Sequence, residues 1–354
     1  MKIGIPREIK IREGRVALIP EAAAELIHHG HQVYLEKGAG RLSGYADTDY
    51  QQHGVSIVDT ADALFEQAEL IVKVKEPQPE ELARLRPDHI LFSYLHLAAE
   101  PELMRQLQRI GLTAIAYETV ERAGALPLLA PMSDIAGRIA VQIGSQLLHQ
   151  PQGGRGILLG GVPGAERGHV VILGAGIAGG AAATMAAAIG AAVTVFDPSR
   201  EKQVAMRALG PNVTALHPFG HAIHEAVLQA DLLIGAVLIK GARAPHLVSA
   251  ETVREMRAGS VIVDISVDQG GCIETTHPTN YENPTYVYEE VVHFGVTNMP
   301  GAVPRTASQA LSAALIPYVL QLTQQDWHTH SDLVAGINVR QGKIVYPALL
   351  QFTE

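Results

Sequence analysis

An α/β fold built from two doubly wound parallel-sheet domains with a cleft between them is predicted by three features of this chain. At 354 residues it exceeds what one ordinary core organises, and two domains are expected. Hydrophobic residues make up 47% and charged residues 18%, with 34 glycines spread along the chain, a globular composition and not a disordered one. Short apolar runs alternate with helical stretches from end to end, as parallel sheets covered on both faces require.

In the first half the strand candidates are Lys2 to Ile5, Gln32 to Leu35, Leu70 to Val74, Ile90 to Leu95 and Thr113 to Tyr117, with helices such as Glu21 to His29 and Glu100 to Arg109 between them. Strands recur at Val170 to Leu173, Ala192 to Phe196, Asp231 to Gly235, Val261 to Ile265 and His293 to Val296, giving a second sheet. The glycine-rich segment from Gln152 to Pro163 reads as a connection whose apolar centre packs. Pro304 to Leu322 reads as a long helix, kinked at Pro317, that leads back to the first domain.

Several classes are excluded or disfavoured. A formal charge of −9, without any Lys or Arg run, offers no footprint for nucleic acid. From Val170 to Phe196 no residue is charged, and Gly176 and Gly180 form a GxxxG pair. Ala and Gly dominate that stretch, however, and it contains a glycine turn between two strand patterns, so a buried α/β unit is read there instead of a membrane span. The single cysteine, Cys272, precludes an intramolecular disulfide, and the start at Met1 lacks the long apolar core of a signal peptide; a cytoplasmic protein is expected. His328 and His330 have no Cys partner nearby, His28, His29 and His31 sit at a helix end, and no metal is expected. Cys272 follows two glycines with no basic neighbour in sequence, which argues against a nucleophile.

One motif carries a cofactor. Val170-Val-Ile-Leu-Gly174-Ala-Gly176-Ile-Ala-Gly179 is a strand, a Gly-x-Gly-x-x-Gly turn and a helix start, followed by a second strand ending in Asp197. Gly174 permits the tight turn, Gly176 lets the backbone approach a pyrophosphate, and Gly179 allows close helix packing. Such glycines alone are weak evidence, since glycine crowds many turns. The strand, helix, second strand and acid in register make a Rossmann-type dinucleotide site. Asp197, placed to accept ribose hydroxyls and repel a 2′-phosphate, favours NAD, while Arg200 and Lys202 leave NADP as a minor reading.

Ligands of open α/β sheets bind beyond the carboxyl ends of the strands, so polar residues that end apolar runs are the candidates for chemistry. Lys75, His96 and Asp268 do so, and Arg15 follows the first strand. Each also has a plain structural reading. Lys75 could extend along a solvated loop, His96 could be a core histidine, Asp268 could cap the Gly270-Gly271 turn, and Arg15 could pair with Glu8 or Glu13 on the surface. Two cations, an imidazole and an acid at corresponding strand ends make a convergent site the better explanation.

Around these residues the chain resembles the NAD-dependent alanine dehydrogenases. The resemblance lies in Gly4-Ile-Pro-Arg-Glu-Ile-Lys with Arg15-Val-Ala-Leu-Ile-Pro20, Val72-Lys-Val-Lys75-Glu-Pro, Phe92-Ser-Tyr-Leu-His96-Leu-Ala-Ala, Leu128-Leu-Ala-Pro-Met-Ser133, Asp264-Ile-Ser-Val-Asp268-Gln-Gly-Gly-Cys272 and Asn298-Met-Pro-Gly-Ala-Val-Pro304. It implies reversible oxidation of L-alanine to pyruvate and ammonium, with Arg15 and Lys75 binding substrate and His96 and Asp268 catalytic. It also implies that Ser133, Lys202, Val237, Leu238, Ile265, Asn298 and Met299 touch the cofactor, and that the enzyme is a homohexamer. Residues 1–128 with 306–354 would form the substrate domain and 129–305 the NAD-binding domain. His217-Pro218-Phe219-Gly220 departs from the family's serine-containing stretch and puts adenosine contacts there in doubt. The competing readings are the NAD-binding domain of a transhydrogenase and a non-catalytic NAD-binding relative.

Overall fold

The computed structural model describes residues 1–239 and 244–352. The chain divides into two compact units, Met1–Met132 with Gly301–Glu354, and Ser133–Pro300. Each holds one sheet flanked by helices.

The first unit contains β1 (Lys2–Ile5), β2 (Gln32–Glu36), β3 (Ser56–Val58), β4 (Leu70–Val72), β5 (Ile90–Ser93) and β6 (Thr113–Ala116), extended by antiparallel strands Ile337–Arg340 and Lys343–Ile344. The parallel strands lie in the order β3-β2-β1-β4-β5-β6. Chain direction across the sheet therefore reverses between β1 and β4, which opens a crevice at their carboxyl ends. Every residue of β4 is buried, as expected of a central strand covered on both faces. Packing on one side joins Leu64, Phe65, Ile71, Leu91, Leu103, Leu107 and Val339.

The helix Pro304–Leu322 belongs to this unit and runs through Pro317 as one element. Its buried serines hold the segment after β1. Ser308 Oγ accepts the Val16 N–H at 2.9 Å, and Ser312 Oγ accepts the Ile19 N–H at 3.0 Å while donating to the Ala17 carbonyl at 2.9 Å. The loop carrying Arg15 thus hangs from a helix some three hundred positions away in sequence, and its backbone groups are satisfied without a strand.

The second unit has β7 (His169–Leu173), β8 (Ala192–Phe196), β9 (Val213–Leu216), β10 (Leu232–Gly235), β11 (Val261–Asp264), β12 (Thr285–Tyr288) and β13 (Val291–Phe294). Their order is β12-β13-β11-β10-β7-β8-β9, with β12 antiparallel and the reversal between β7 and β10. The α/β fold class read from sequence is found in both units. In the glycine-rich segment Leu159 is buried and Leu158 is 56% exposed, so its apolar centre packs only in part.

Buried His293 on β13 shows how a polar side chain is tolerated in this sheet. Its Nδ1–H donates to the Val291 carbonyl at 2.9 Å, so Nε2 accepts from the Thr275 hydroxyl at 2.8 Å, and its ring stacks on Tyr286. Burial pushes its pKa below the ordinary 6.5, so the folded protein holds the ring neutral. The unfolded chain binds a proton here more readily, and this residue's contribution is present above pH 6.5 and lost as pH falls from there toward the folded value. Urea unfolding at pH 7.5 and 5.5 tests this. Stability should fall less between the two pH values in His293→Gln than in the wild type, and an equal fall would contradict the assignment.

Candidate active site

In the first unit, candidate groups gather where β1, β4, β5 and β6 end. Glu8 follows β1, and its buried carboxylate accepts the N–H groups of Val74 at 2.6 Å and Lys75 at 3.4 Å. It also meets the Lys73 ammonium at 3.1 Å, whose other partners are Glu81 at 3.2 Å and the Lys75 carbonyl at 2.9 Å. Lys75 therefore leaves β4 on a backbone already gripped by a carboxylate. Burial lowers the pKa of its amine; Glu76 opposes that effect, and the charges of Arg15 and Lys10 reinforce it.

Arg15 is 2% exposed and pairs with Glu13 through two bonds, Nε to Oε1 at 2.7 Å and Nη2 to Oε2 at 2.6 Å. The pairing anticipated as a surface contact is an interior one. Burial works against the guanidinium charge, but the hydrogen bonds and charge of Glu13 outweigh it and raise the pKa. Nη1 lies 3.2 Å from Met132 Sδ. A hollow of about 530 Å³ touches Arg15, Glu13, Glu8, Arg7 and Arg41.

His96 follows β5 and is exposed, not a core histidine. Its backbone is left-handed at φ 50°, and its ring lies nearly parallel to Tyr94, 8° apart with centroids 5.9 Å apart. Tyr94 is buried, its hydroxyl donating to the Leu128 carbonyl at 2.6 Å, and it is close enough to Arg15 for the guanidinium charge to act on its phenol. Arg15, Lys75 and His96 are thus neighbours within this unit.

In the second unit the glycine turn has the geometry its sequence requires. Gly174 has φ 96°, and a Cβ at Gly179 would sit 1.8 Å from the Gly174 carbonyl oxygen. A Cβ at Gly176 would meet no protein atom within 4 Å, so the turn leaves open space at the start of helix Ile177–Ala188. That space, with helix N–H groups facing it, fits a pyrophosphate. Asp197 is buried after β8; its Oδ2 accepts the Ala175 N–H at 2.8 Å and lies 3.5 Å from Lys202 Nζ, and its Oδ1 accepts the Ser199 N–H at 2.8 Å. Its first task is to fix the glycine turn.

The other cofactor candidates are distributed as follows. Val237 is half-buried and Leu238 exposed after β10, and Ile265 is half-buried after β11. Asn298 is left-handed at φ 61°, and buried Met299 accepts the Tyr281 hydroxyl on its carbonyl at 3.0 Å. Ser133 is half-buried on helix Ala130–Leu147. The rings of His217 and Phe219 after β9 are tilted 52° to each other with centroids 4.6 Å apart, Phe219 being 67% exposed.

Asp268 is exposed on the short helix Ile265–Gln269. The Gly270-Gly271 turn beside it is held by Asp264. That fully buried carboxylate accepts the N–H groups of Ser266 at 2.9 Å and Cys272 at 3.0 Å and the Thr276 hydroxyl at 2.7 Å. Gly270 and Gly271, at φ 93° and 73°, let the chain curl around it. Burial and the Asp264 charge push the Cys272 thiol pKa well up, which leaves it unreactive. Among the described residues no group of three or more His, Cys, Asp or Glu could hold a metal ion.

Sequence reasoning missed Glu8, Glu13, Glu118 and Asp264 as parts of the site. Glu8 and Glu13 entered it only as surface partners for Arg15. The signal that could have found these residues is an acid lying at or just beyond the end of an apolar strand.

These two sheets, one carrying a glycine turn with a following acid and the other carrying cations and an imidazole at its crevice, define a two-domain α/β protein of the dinucleotide-binding kind. Residues 4–136 match the alanine dehydrogenase/PNT N-terminal domain and residues 140–347 the alanine dehydrogenase/PNT C-terminal domain. The chain belongs to this family. It is 48% identical to the alanine dehydrogenase of Bacillus subtilis, over 99% of this chain and 94% of that one, and 47% identical to that of Halomonas elongata, over 99% and 96%. A solved L-alanine dehydrogenase superposes with a TM-score of 0.95 at 52% identity, covering 99% of both chains. A transhydrogenase from Sinorhizobium meliloti does so at 0.85 and 25% identity, covering 98% of this chain and all of that one.

Gly179→Ala should lower the melting temperature by several degrees, because the added methyl must displace backbone, an overpacking cost of about 1–3 kcal/mol or more. NADH affinity should fall with it. Calorimetry and fluorescence titration that found both unchanged would contradict the close approach of Gly179 to Gly174.

Proposed function

We propose that this protein is an oxidoreductase acting on a CH–NH2 group, catalysing the reversible NAD-dependent oxidative deamination of L-alanine to pyruvate and ammonium. The observation that carries the reading is the grouping of Lys75 and His96, which follow β4 and β5, with Arg15 on the loop beside them, in a chain so similar to alanine dehydrogenases along its whole length.

The first unit is assigned the substrate and the second the cofactor. Gly174, Gly176, Gly179 and Asp197 would hold NAD, with Ser133, Lys202, Val237, Leu238, Ile265, Asn298 and Met299 contributing contacts. When bound, NAD supplies the hydride acceptor at nicotinamide C4. Arg15 draws in the substrate carboxylate; because Glu13 occupies its Nε–Nη2 fork, that pull is assigned to its charge in a water-poor setting. Lys75 polarises the oxygen of pyruvate, and its lowered pKa suits it to hydrogen bonding and proton exchange with that oxygen. His96 is the general acid–base, taking the proton from the ammonium group and from the attacking water. Asp268 stabilises the cationic amine and iminium and the carbinolamine that follows.

The reading extends to a cytoplasmic homohexamer, which the family resemblance supports. Among the described residues no helix is long and apolar enough to cross a membrane. Light scattering should give the mass of six 37.8 kDa chains.

Incubating the purified protein with L-alanine and NAD should yield NADH at 340 nm; no L-alanine-dependent signal would overturn the reading in favour of a transhydrogenase-like or non-catalytic role. His96→Ala should lower kcat by about a hundredfold or more while NADH still binds. Wild-type turnover in that variant would remove His96 from the mechanism. Asp197→Ala should raise the NAD dissociation constant about tenfold or more, both through any ribose contact and through the loosened turn; equal affinity would exclude both.

A further inference from the structure

We propose that Glu118 is the positioning residue for His96, holding the imidazole in place through the backbone without taking part in the chemistry itself. The proposal rests on the reading above that His96 is the general acid–base.

The sheet ladder cannot do this task. β5 ends at Ser93, and the last ladder-type bond beyond it runs from the Tyr94 N–H to the Val74 carbonyl at 3.1 Å. The next two N–H groups have no strand carbonyl to meet. Both donate to one carboxylate: Leu95 to Glu118 Oε1 and Oε2 at 3.2 and 3.3 Å, and His96 to Oε1 at 2.6 Å. At this point the chain takes a left-handed turn at φ 50°, a conformation uncommon for residues other than glycine. A carboxylate that binds two successive N–H groups favours it, since charge-assisted bonds are the strong ones.

Glu118 is itself held firmly. It sits on the short helix Tyr117–Thr119 directly after β6, the neighbour of β5. Buried Tyr117 packs edge-on against Phe92 and Tyr94, and Thr119 Oγ1 bonds the Ala116 and Gly336 carbonyls and the Asn338 side-chain amide. Tyr94, the face on which the imidazole stacks, is fixed by its bond to Leu128. Backbone and ring of His96 are thus constrained from two sides, and Glu118 supplies the backbone side.

The test compares Glu118→Gln and Glu118→Ala with the wild type, with His96→Ala and with the double variant. Glu118→Gln offers one acceptor oxygen and turns an amide donor toward the second N–H, so kcat should fall about tenfold, and about a hundredfold in Glu118→Ala, with KM for pyruvate and the NADH dissociation constant within about threefold. A group that acts only through His96 adds nothing once His96 is gone. The double variant should therefore be no slower than His96→Ala alone. An additional loss in the double variant would overturn the proposal, as would unchanged kcat in both single variants or a parallel collapse of melting temperature and NADH binding. In histidine-labelled protein the His96 ring resonance should shift or broaden in Glu118→Gln, and an unmoved resonance would also overturn it. This spectroscopic arm reads the positioning directly, and it stands even if the wild type showed no L-alanine-dependent NADH formation.

Discussion

A lysine buried between two carboxylates is the constraint on which the candidate site depends. Lys73 directly follows β4, its ammonium against Glu8 and Glu81, all three side chains shielded from water. Burial acts against its charge, yet the two acids win and keep it protonated; at Glu8, burial pushes the pKa up and Lys73 pulls back. A carboxylate can serve as a backbone anchor in the interior only if its own charge is compensated. Lys73 does this for Glu8, and Glu8 in turn fixes the N–H groups of Val74 and Lys75. Removing one member of such a set leaves an uncompensated buried charge, a loss of about 3–5 kcal/mol, whereas the intact set adds little net stability. Its value lies in geometry.

Carboxylates anchor the backbone elsewhere in the site as well. Glu13 grips the Arg15 guanidinium and backbone, Glu118 the turn at His96, and Asp264 the loop that carries Asp268. A parallel sheet delivers side chains to its carboxyl edge, but its ladder stops there, and the first free N–H groups need partners. In this chain acids supply them. Such anchors place functional groups without strand-like regularity, which lets a histidine sit left-handed and an aspartate stand exposed on a single helical turn. The glycine turn obeys a related rule: Asp197 accepts the Ala175 N–H, so the residue read as a ribose contact also shapes the loop around the diphosphate space.

Much of this was legible in the sequence. Central strands such as Leu70 to Val72 and Val261 to Asp264 are continuous apolar runs because both faces are covered, and their positions follow to within two residues. β3, β9 and β12 escaped because edge strands are half-solvated and carry polar residues that break the apolar run; of the C-terminal pair, Ile337–Arg340 is interrupted by Asn338 and Lys343–Ile344 is only two residues long. The glycine motif was readable because its steric demands are local. The anchoring acids were not: Glu8 is 65 positions from Lys73, and Glu118 is 22 from His96, so their partners follow only from strand order. Pairing of Arg15 with Glu13 was foreseeable from spacing, but its burial came from the serines of a helix near the other end of the chain.

On the reading proposed above, a frame of carboxylates holds Arg15, Lys75 and His96 ready for one small oxo acid. A crystal structure with pyruvate and NADH tests it most directly. Pyruvate should lie beside Arg15, Lys75 and the His96 imidazole, with the bonds to Glu8, Glu13 and Glu118 retained. Pyruvate bound away from those three side chains, or a rearrangement that breaks the carboxylate contacts to admit it, would contradict the account.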